Sequence, residues 1–546
     1  MRDSSFDTQV LIAGGGPVGM VLALELARYA IRSIVVEQNK TTTRHPKMDL
    51  TNGRSMELFR RLGIIDEFRA VGVPEDQTMD ITYATSATGH LLHTFDYGTP
   101  KEHRALSRAT NDGTMTLEPY MRVSQVVLEP VLKKAIDESP YVDVRFGHKF
   151  EDFTQDANGV TSTISHNDGH YTLRSQYLAG CDGGSSRVRH KAEIDLEGDF
   201  GIVPIYMIHF RSTDLEVLGK FGAAYHLQTG FGTLIAQNGK DTWTLHVVLD
   251  PDTDPASITP SELLEQFAGT KFDYEILVAN HWTPHLVVAE RYRNGRVLLA
   301  GDAAHQFIPT GGYGMNTGVW DAADLGWKLA AVIDGWGGDA LLDSVEERRK
   351  IALQNRDAAV RHMNDRFAIE GFIRKKRCEV DIEAKETESV RKEIADEIKR
   401  VGNAENESWG IEHGYRYIGS NVIVYPKDRS DEPEFDPLHA QPSVWPGSRL
   451  PHYYLSDGQP LYDKLGKGFT VIRLDGADAS ALSDAALDLG IPFDIISVSN
   501  DENLSKLRKT FILVRPDHHI AWSGDALPED CAELLKTVVG RQEGLS

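Results

Sequence analysis

The spacing of apolar residues at the start of the chain predicts a strand, a turn, a helix and a second strand. In "TQVLIAGGGPVGMVLALELARYAIRSIVVEQ" a short apolar run at positions 10–12 is followed by apolar residues at helical spacing over 21–26 and by a second run at 34–36. A helix that connects two strands of one sheet leaves those strands parallel. The pattern therefore indicates a βαβ unit in an at least partly parallel sheet.

Between about residues 200 and 290 the apolar period changes to two. Segments such as "YHLQTGFGTLIAQ" and "TWTLHVVL" alternate apolar and polar residues, which is typical of an antiparallel sheet with one face turned to solvent or ligand. Tyr225 and His226 are adjacent in the first segment, so strict alternation places their side chains on opposite faces. We expect only one of them to reach a ligand.

The last third of the chain changes character twice. Residues 362–402 are strongly charged and helical in pattern, which indicates a solvated helix pair that joins domains, with a binding element as the alternative. "YPKDRSDEPEFDPLHAQPSVWPGSRLP" is rich in Pro, Asp and Ser and indicates a linker or an extended wrap. The runs "GFTVIRL", "PFDIISV" and "TFILVRPDHHIAWSG" then predict a small α/β domain over 445–546.

Composition narrows the class of protein. The chain has 546 residues, with 58 Lys and Arg against 81 Asp and Glu and a formal net charge of −23. Such length allows two to four domains, and such acidity argues against nucleic acid as the main partner. The glycines and charged residues within the N-terminal apolar run argue against a membrane span. We expect a soluble, cytoplasmic protein without a membrane partner.

Cysteine usage gives no support for a disulfide framework or a metal site. Cys181, Cys378 and Cys531 lie far apart, and no CxxC pair or zinc-ligand spacing is present. A reducing compartment is therefore expected, and no metal is predicted.

The first motif with chemical content is Gly14-x-Gly16-x-x-Gly19 between the predicted strand and helix. Glycines in this setting allow a tight turn, the approach of a pyrophosphate to backbone N–H groups and close helix packing. Glu37 ends the second strand about 20 residues on, where an acid can bind a ribose hydroxyl. The motif predicts dinucleotide binding, with a structural glycine turn as the alternative.

The second motif is "RVLLAGDAAHQFIPTGGYGMNTGVWDAADLGWKL", residues 296–329. Asp302 ends a buried strand, where its carboxylate could bind a polyol, and the glycines at 311–314 would let a flat ring lie against bare backbone. A helix expected to begin near Asn316 would direct its N-terminus at developing negative charge, such as that of a reduced flavin. The alternative is a glycine-rich strand-to-helix connection.

These two motifs, together with "AGCDGGSSRVR", resemble the class A FAD-dependent aromatic hydroxylases, which are single-component monooxygenases similar to para-hydroxybenzoate hydroxylase and phenol hydroxylase. The resemblance covers about residues 1–355. The end of the chain resembles the thioredoxin-like domain of the phenol hydroxylase branch. Because this domain lacks CxxC, we expect it to be redox-silent and to serve packing or contacts in a homodimer.

The resemblance implies an α/β fold with a Rossmann-like FAD-binding domain of the GR2 type, interleaved with an antiparallel-sheet substrate domain and followed by the thioredoxin-like domain. The implied boundaries are 1–185 with 286–360 for FAD binding, 186–285 with part of 75–120 for substrate binding, 361–444 for the helical and linker region, and 445–546 for the last domain.

The resemblance also implies cofactor-binding residues. The ADP half of FAD would lie on the first motif, and its phosphate and ribityl region near Arg122 and Gln125. The Asp182-Gly183 pair is associated with both FAD and NADPH, Asp302 with the ribityl chain, and Pro309 with the isoalloxazine. The full set implied to bind cofactor is Gly14, Gly16, Pro17, Gly19, Glu37, Gln38, Arg44, Arg122, Gln125, Asp182, Gly183, Gly301, Asp302, Gly314, Met315 and Asn316.

NADPH or NADH is implied as a co-substrate without a Rossmann site of its own, because no second GxGxxG follows a strand. In the family the nicotinamide cofactor docks transiently and leaves after hydride transfer. Arg44, His45 and Lys47 could help this docking, with a merely solvated basic loop as the alternative.

The implied reaction is hydroxylation of a phenolic or other aromatic compound by O₂ through a flavin C4a-hydroperoxide. Such a site must exclude water and help to deprotonate the substrate. Asp49 is the candidate base, with a helix-entry cap as its alternative, and it is grouped with Pro309 as catalytic. The candidate substrate-binding residues are Tyr225, His226, Gln237 and His246. His305 is expected to be structural.

Two other functions stay open at this point. A related flavin oxygenase could tailor a polycyclic aromatic or a polyketide by epoxidation or Baeyer–Villiger chemistry, since such enzymes share the flavin frame and differ in the cavity. A non-catalytic flavin-binding protein is the alternative from another class. The substrate and the choice between NADH and NADPH are not predicted.

Overall fold

The computed structural model describes residues 5–45, 47–222, 224–474, 476–498 and 501–541. The strands are β1 (Thr8–Ala13), β2 (Ser33–Glu37), β3 (Leu50–Thr51), β4 (Ile81–Ala84), β5 (Leu91–Phe95), β6 (Met121–Arg122), β7 (Val142–Phe146), β8 (Lys149–Gln155), β9 (Val160–His166), β10 (Gly169–Gly180), β11 (Leu196–Asp199), β12 (Ile205–Arg211), β13 (His226–Gln228), β14 (Thr233–Ala236), β15 (Thr242–Val248), β16 (Glu275–Trp282), β17 (Leu286–Ala289), β18 (Arg293–Asn294), β19 (Val297–Leu299), β20 (His305–Gln306), β21 (Phe469–Leu474), β22 (Phe493–Val498), β23 (Phe511–Val514) and β24 (Ile520–Gly524). The α-helices are α1 (Pro17–Arg28), α2 (Gly53–Arg61), α3 (Ile65–Val71), α4 (Pro100–Thr110), α5 (Gln125–Asp137), α6 (Arg187–Lys191), α7 (Leu215–Leu218), α8 (Pro260–Ala268), α9 (Tyr313–Ile333), α10 (Asp339–Asp343), α11 (Glu346–Glu379), α12 (Glu388–Val401), α13 (Trp409–His413), α14 (Ser480–Asp488) and α15 (Cys531–Val538).

The largest sheet contains the βαβ unit predicted from the N-terminal pattern. Its eight strands include the path β18-β19-β10-β1-β2-β7, with β9 and β8 extending from β10. β1 pairs in parallel with both β2 and β10, and β10 pairs in parallel with β19. The predicted parallel sheet is confirmed. Because β1 and β19 run in the same direction, the helices that follow them begin at the same edge of the sheet.

Helices α1 and α9 pack closely because glycines of α9 leave room for side chains of α1. A Cβ atom on Gly326 would stand 2.6 Å from the Cβ of Glu25, and one on Gly318 would stand 2.5 Å from a methyl group of Val18. This close approach brings the N-termini of both helices to one cleft. α9 begins at Tyr313, three residues before the predicted start at Asn316, because Gly312 in the left-handed region serves as its N-cap.

The second sheet has the order β16-β12-β15-β14-β13-β4-β5 and is mainly antiparallel. One face is apolar and is packed with Phe267 and Leu264 of α8. The register places polar residues on the other face: His246 pairs with Met207 and Thr233, and Gln228 pairs with Thr233 and Tyr83. The predicted antiparallel sheet is confirmed, and its polar face is the one available to a ligand.

The predicted separation of Tyr225 and His226 onto opposite faces is wrong. Their ring centroids are 4.0 Å apart, so both rings lie on the same side. Tyr225 precedes β13, and the N–H groups of both residues point to the carbonyl of Asp80, at 2.9 and 3.3 Å. The backbone is irregular at this point, and regular alternation starts only at His226.

The region after residue 345 contributes to the ligand-facing side of the sheet. α11 runs without interruption from 346 to 379, across the predicted boundary at 360, and Ile369 and Ile373 pack with Ile394 and Ile398 of α12 against that face. No helix in the described ranges is long and apolar enough to cross a membrane.

The C-terminal unit has a mixed four-stranded sheet in the order β22-β21-β23-β24, as the predicted α/β domain requires. It docks onto the first unit through buried charges. The Arg515 guanidinium donates to Asp324 of α9 at 2.9 Å and to Asp517 at 2.7 Å. The last domain is thereby tied to the helix whose first turn borders the cleft.

Candidate active site

The first wall of the cleft is the turn between β1 and α1. Gly14 has φ +106°, and a Cβ there would stand 2.2 Å from the carbonyl oxygen of Cys181. A Cβ on Gly16 would meet no atom within 4 Å, so this glycine borders open space. Gly16 is also the N-cap of α1, which begins at Pro17 and has no side-chain cap. The free N–H groups of this first turn can therefore receive an anion.

Glu37 lies at this turn, as the motif predicts. Its Oε2 accepts a bond of 2.8 Å from the N–H of Gly15, and its Oε1 accepts one of 2.8 Å from the N–H of Asn39. Gln38 and Arg44 are exposed on the following segment. The carboxylate is therefore held at the mouth of the turn, and its contact with a ribose stays a prediction.

The Asp182-Gly183 pair lies beside the same turn. Asp182 accepts bonds from the backbone N–H groups of Arg187 and Val188 at 2.7 and 3.1 Å, and burial raises its pKa. Gly183 has φ +81°, and a Cβ there would meet no atom within 4 Å. Asp182 thus orders the loop that leads into α6, and Gly183 presents bare backbone.

The second wall is the glycine-rich loop before α9. Gly311 and Gly312 have φ +67° and +63°, a conformation that favours glycine. A Cβ on Gly314 would meet no atom within 4 Å, and α9 has no side-chain cap. Pro309 is exposed in this loop, and Met315 is partly exposed in the first turn. A flat ligand can therefore approach the loop backbone.

Asp302 lies between the two walls. Its side chain is exposed, yet the surrounding protein desolvates the carboxylate and raises its pKa, partly offset by the positive charges of His305 and Lys47. Gly301 before it has φ +64°, and its N–H donates to Asp321 at 3.1 Å.

Two residues near this loop hold the surrounding elements in place through hydrogen bonds. The side-chain amide of Asn316 donates to the carbonyls of Leu50 and Gly312 at 3.0 and 2.7 Å, so it ties α9 to β3. Nε2 of His305 lies 2.8 Å from Asp321, which also pairs with Arg348. These bonds agree with the structural role that the sequence predicts for His305.

The cleft fits FAD. The two uncapped helix N-termini can receive a pyrophosphate and a flavin ring, and bare backbone lies where added side chains would fill space. The Glu37 and Asp302 carboxylates border this cleft and can accept hydrogen bonds from hydroxyl groups. Gly16, Glu37, Gly183, Asp302 and Gly314 are the residues best placed to hold it.

The second polar cluster is formed by Asp49, Tyr225 and Arg122. Burial raises the pKa of Asp49 to about 6, while the nearby Tyr225 hydroxyl and the charge of Arg122 oppose the rise. Burial and the Asp49 charge hold the pKa of Tyr225 well above 10. Tyr225 therefore stays protonated and acts as a donor. Within the described ranges, Oδ2 of Asp49 is buried and has no hydrogen-bond partner.

The structure turns Arg122 toward the antiparallel sheet. Its guanidinium donates to the carbonyls of Thr78, at 3.1 Å, and of Ala236, and it lies 5.0 Å from the centroid of the Tyr225 ring. Its predicted contact with the FAD phosphate and ribityl region stays untested. Gln125 donates to Glu129 at 2.6 Å, which in turn accepts from the N–H of Thr43.

The sheet contributes neutral polar groups to the same cavity. Burial and nearby arginine charges hold the pKa of His226 well below its usual range, and burial lowers that of His246 to about 4. In the described part of the chain both ring nitrogens of His226, both amide atoms of Gln228 and Oε1 of Gln237 are buried without partners. Each buried polar group without a hydrogen-bond partner costs about 1–3 kcal/mol, so we expect a ligand or water to bind these groups.

A third wall comes from α11, which includes the start of the charged segment that the sequence pattern predicts to be a solvated helix pair. Arg366 of α11 donates to both oxygens of Glu405 at 2.6 Å, and Oε1 of Glu405 also accepts a bond of 3.0 Å from the N–H of Gly311. The sequence contained one signal for this wall. Arg366 and Glu370 recur at the same helical spacing as Ile369 and Ile373, which places all four on the buried face of the helix.

Comparisons with known proteins agree with this geometry. Residues 7–359 match the family model described as "FAD binding domain", and residues 443–542 match "Aromatic-ring hydroxylase, C-terminal". The FAD-dependent monooxygenase apdD of Emericella nidulans is 36% identical over 95% of this chain and 88% of that protein. The 2,4-dichlorophenol 6-monooxygenase of Cupriavidus pinatubonensis is 29% identical over 98% of this chain and 97% of that protein.

A solved structure is similar over almost the whole chain. RebC with bound 7-carboxy-K252c superposes with a TM-score of 0.88 at 32% identity, and the match covers 98% of this chain and 99% of RebC. The sequence similarity therefore extends to the complete architecture.

Proposed function

Because this chain belongs to the family of FAD-dependent aromatic-ring monooxygenases, we propose that it hydroxylates a phenolic compound with O₂ and NAD(P)H. The observation that carries the proposal is the unpaired Oδ2 of Asp49 beside the protonated Tyr225. Bound between the helix N-termini and the sheet, the reduced flavin would activate O₂ and supply one oxygen atom to the aromatic ring.

Asp49 would remove the proton of the substrate hydroxyl. A base with a pKa of about 6 is largely ionised at neutral pH and still able to hold a proton. Its unpaired Oδ2 can accept the hydroxyl hydrogen, and deprotonation makes the ring more nucleophilic. The Arg122 guanidinium, on the ring of Tyr225, favours the negative charge that then resides on the substrate.

Tyr225 and the sheet would orient the substrate. The Tyr225 hydroxyl keeps its proton and can donate to Asp49 or to the substrate oxygen. His226 is neutral and offers one donor and one acceptor nitrogen, and Gln237 offers an acceptor. The sheet, the loop before α9 and α11 lie around these groups, and together with the bound flavin they would keep water away from the reacting ring.

We also propose that NAD(P)H docks without a dedicated domain. Lys47 is exposed, and its charge is felt by Asp302, so it borders the cleft from the side of the basic segment that includes Arg44 and His45. This supports a transient site at the cleft mouth. The homodimer and the thioredoxin-like nature of the last domain stay predictions.

A larger substrate is the second candidate. The structural relative RebC was solved with 7-carboxy-K252c, whereas the relative from Cupriavidus pinatubonensis is named for a dichlorophenol. The many unpaired groups on the sheet favour a substrate with several oxygen substituents. Tailoring of a polycyclic aromatic or a polyketide is therefore the alternative substrate class for the same chemistry.

The test is oxidation of NADPH by purified protein reconstituted with FAD, across monocyclic phenols and hydroxylated polycyclic aromatics. A phenol that accelerates oxidation and gains one hydroxyl supports the proposal. Bound FAD with no acceleration and no product for any compound would instead favour a non-catalytic flavin-binding protein.

A further inference from the structure

Arg366 is a buried cation that the proposed chemistry does not use. Its Nη2 atom lies 2.6 Å from both oxygens of Glu405, and its side chain is only 17% exposed. Within the described ranges its buried Nε atom has no hydrogen-bond partner. A guanidinium carries five N–H donors, so the pairing with Glu405 leaves some of them without an acceptor. The donors of a buried charged group normally have acceptors.

The Arg366 guanidinium lies near the polar, ligand-facing side of the second sheet. The Arg366 charge contributes to the lowered pKa values of His226 and His246 on the ligand-facing side of the sheet. Through Glu405, the same guanidinium is fixed to the N–H of Gly311 in the loop that borders the flavin site. Arg366 therefore stands between the flavin loop and the sheet.

The charge around Arg366 selects the kind of oxygen that can bind there. Glu405 already neutralises the guanidinium through two bonds of 2.6 Å. Glu370 lies one helical turn further along α11 and is buried; burial raises its pKa to about 7, and the charges of Arg366 and Arg374 oppose that rise. A carboxylate substituent would meet a cation whose charge Glu405 already offsets, whereas a neutral carbonyl oxygen needs only a donor.

We infer that Arg366 binds a neutral carbonyl oxygen of the substrate, and so selects phenols that also carry a ketone, quinone or amide group. This inference rests on the proposed function and names the substrate class of the same site. Asp49 would engage the hydroxyl group, and Arg366 would engage the second oxygen from the opposite wall. The two anchors would fix which ring carbon faces the flavin.

The test compares ligands of equal shape that differ in the carbonyl. The ortho, meta and para hydroxyacetophenones are titrated into the FAD-loaded protein alongside the corresponding ethylphenols and hydroxybenzoates, and binding is followed by the change in flavin absorbance. We expect one hydroxyacetophenone to bind about tenfold or more tightly than its ethylphenol, since a bond to a charged group is strong. Its hydroxybenzoate should bind more weakly than the ketone.

Variants assign this preference to Arg366. Arg366→Met should abolish the affinity difference between the ketone and its ethylphenol, and Arg366→Lys should retain FAD and reduce that difference several-fold, because a lysine lacks the forked donor geometry. Glu405→Gln should improve hydroxybenzoate binding, since it removes the countercharge. Lys375→Met, at an exposed position of the same helix, should leave every ratio unchanged.

The outcomes separate the inference from the proposed function. Ethylphenols that bind and stimulate NADPH oxidation as well as the ketones do would overturn the inference and leave the hydroxylase proposal standing. A ketone preference that survives in both Arg366 variants would overturn it too. If no probe alters the flavin spectrum or the oxidation rate, both the monocyclic phenol proposal and the inference fail.

Discussion

Replacement of Asp49 by Asn is the most informative single change in the proposed site. The amide is nearly isosteric, so the cavity and the FAD cleft should persist, but it cannot accept a proton. The carboxylate has one buried oxygen without a partner, and burial raises its pKa to about 6. Loss of a positioned general base typically lowers the rate by about 10²–10⁴-fold, and we expect a loss in this range for product formation.

The pKa of Asp49 also predicts the pH profile. With a pKa of about 6, roughly nine tenths of the carboxylate is ionised at pH 7 and roughly one tenth at pH 5. Since the base acts in its ionised form, kcat/KM should fall about tenfold between these pH values in the wild type. Asp49→Asn should lack this acid limb, because its side chain does not titrate.

The assay is product formation by chromatography over pH 5 to 8, with bound FAD measured from its absorbance in every sample. Asp252→Asn, at an exposed position, serves as the matched control. If Asp49→Asn keeps both its turnover and its acid limb while it holds FAD, the assignment of Asp49 as the base is refuted.

Three further changes test other parts of the molecule. Gly16→Val should fold but lose FAD, because its side chain would enter open space at the uncapped helix terminus, and full FAD retention on gel filtration would contradict this. Tyr225→Phe should shift the acid limb to higher pH, since the Tyr225 hydroxyl holds the Asp49 pKa down, and an unchanged limb would oppose that role. Arg515→Met should destabilise the fold by about 3–5 kcal/mol in thermal or denaturant unfolding, because buried carboxylates lose their partner, whereas the exposed Lys509→Met should cost less than about 1 kcal/mol. Equal effects of these two changes would refute the docking argument.

The dinucleotide motif could be predicted because its physics is local. Gly14 needs a left-handed backbone and a close approach to Cys181, Gly16 needs open space, and Glu37 ends the adjacent strand, all within one βαβ unit. The parallel and antiparallel sheets also followed from apolar periods along the chain.

The substrate side was harder because its residues meet only through tertiary packing. Irregular backbone before β13 brings Tyr225 and His226 to the same side, against the alternation rule. Arg366 comes from a segment whose charge suggested solvent exposure, and its pairing with Glu405 depends on the long helix that packs on the sheet. The only local indication of burial was that charged residues of this helix recur at the same spacing as its apolar residues.

The central claim is that this chain inserts one oxygen atom of O₂ into a phenolic ring. The most direct measurement is turnover with NADPH under isotopically labelled O₂, with the hydroxyacetophenones as substrates and mass analysis of the product. We predict one labelled oxygen atom in a product that carries one additional hydroxyl group. A product whose new oxygen comes from water, or NADPH oxidation that yields hydrogen peroxide without any hydroxylated product, would contradict the account.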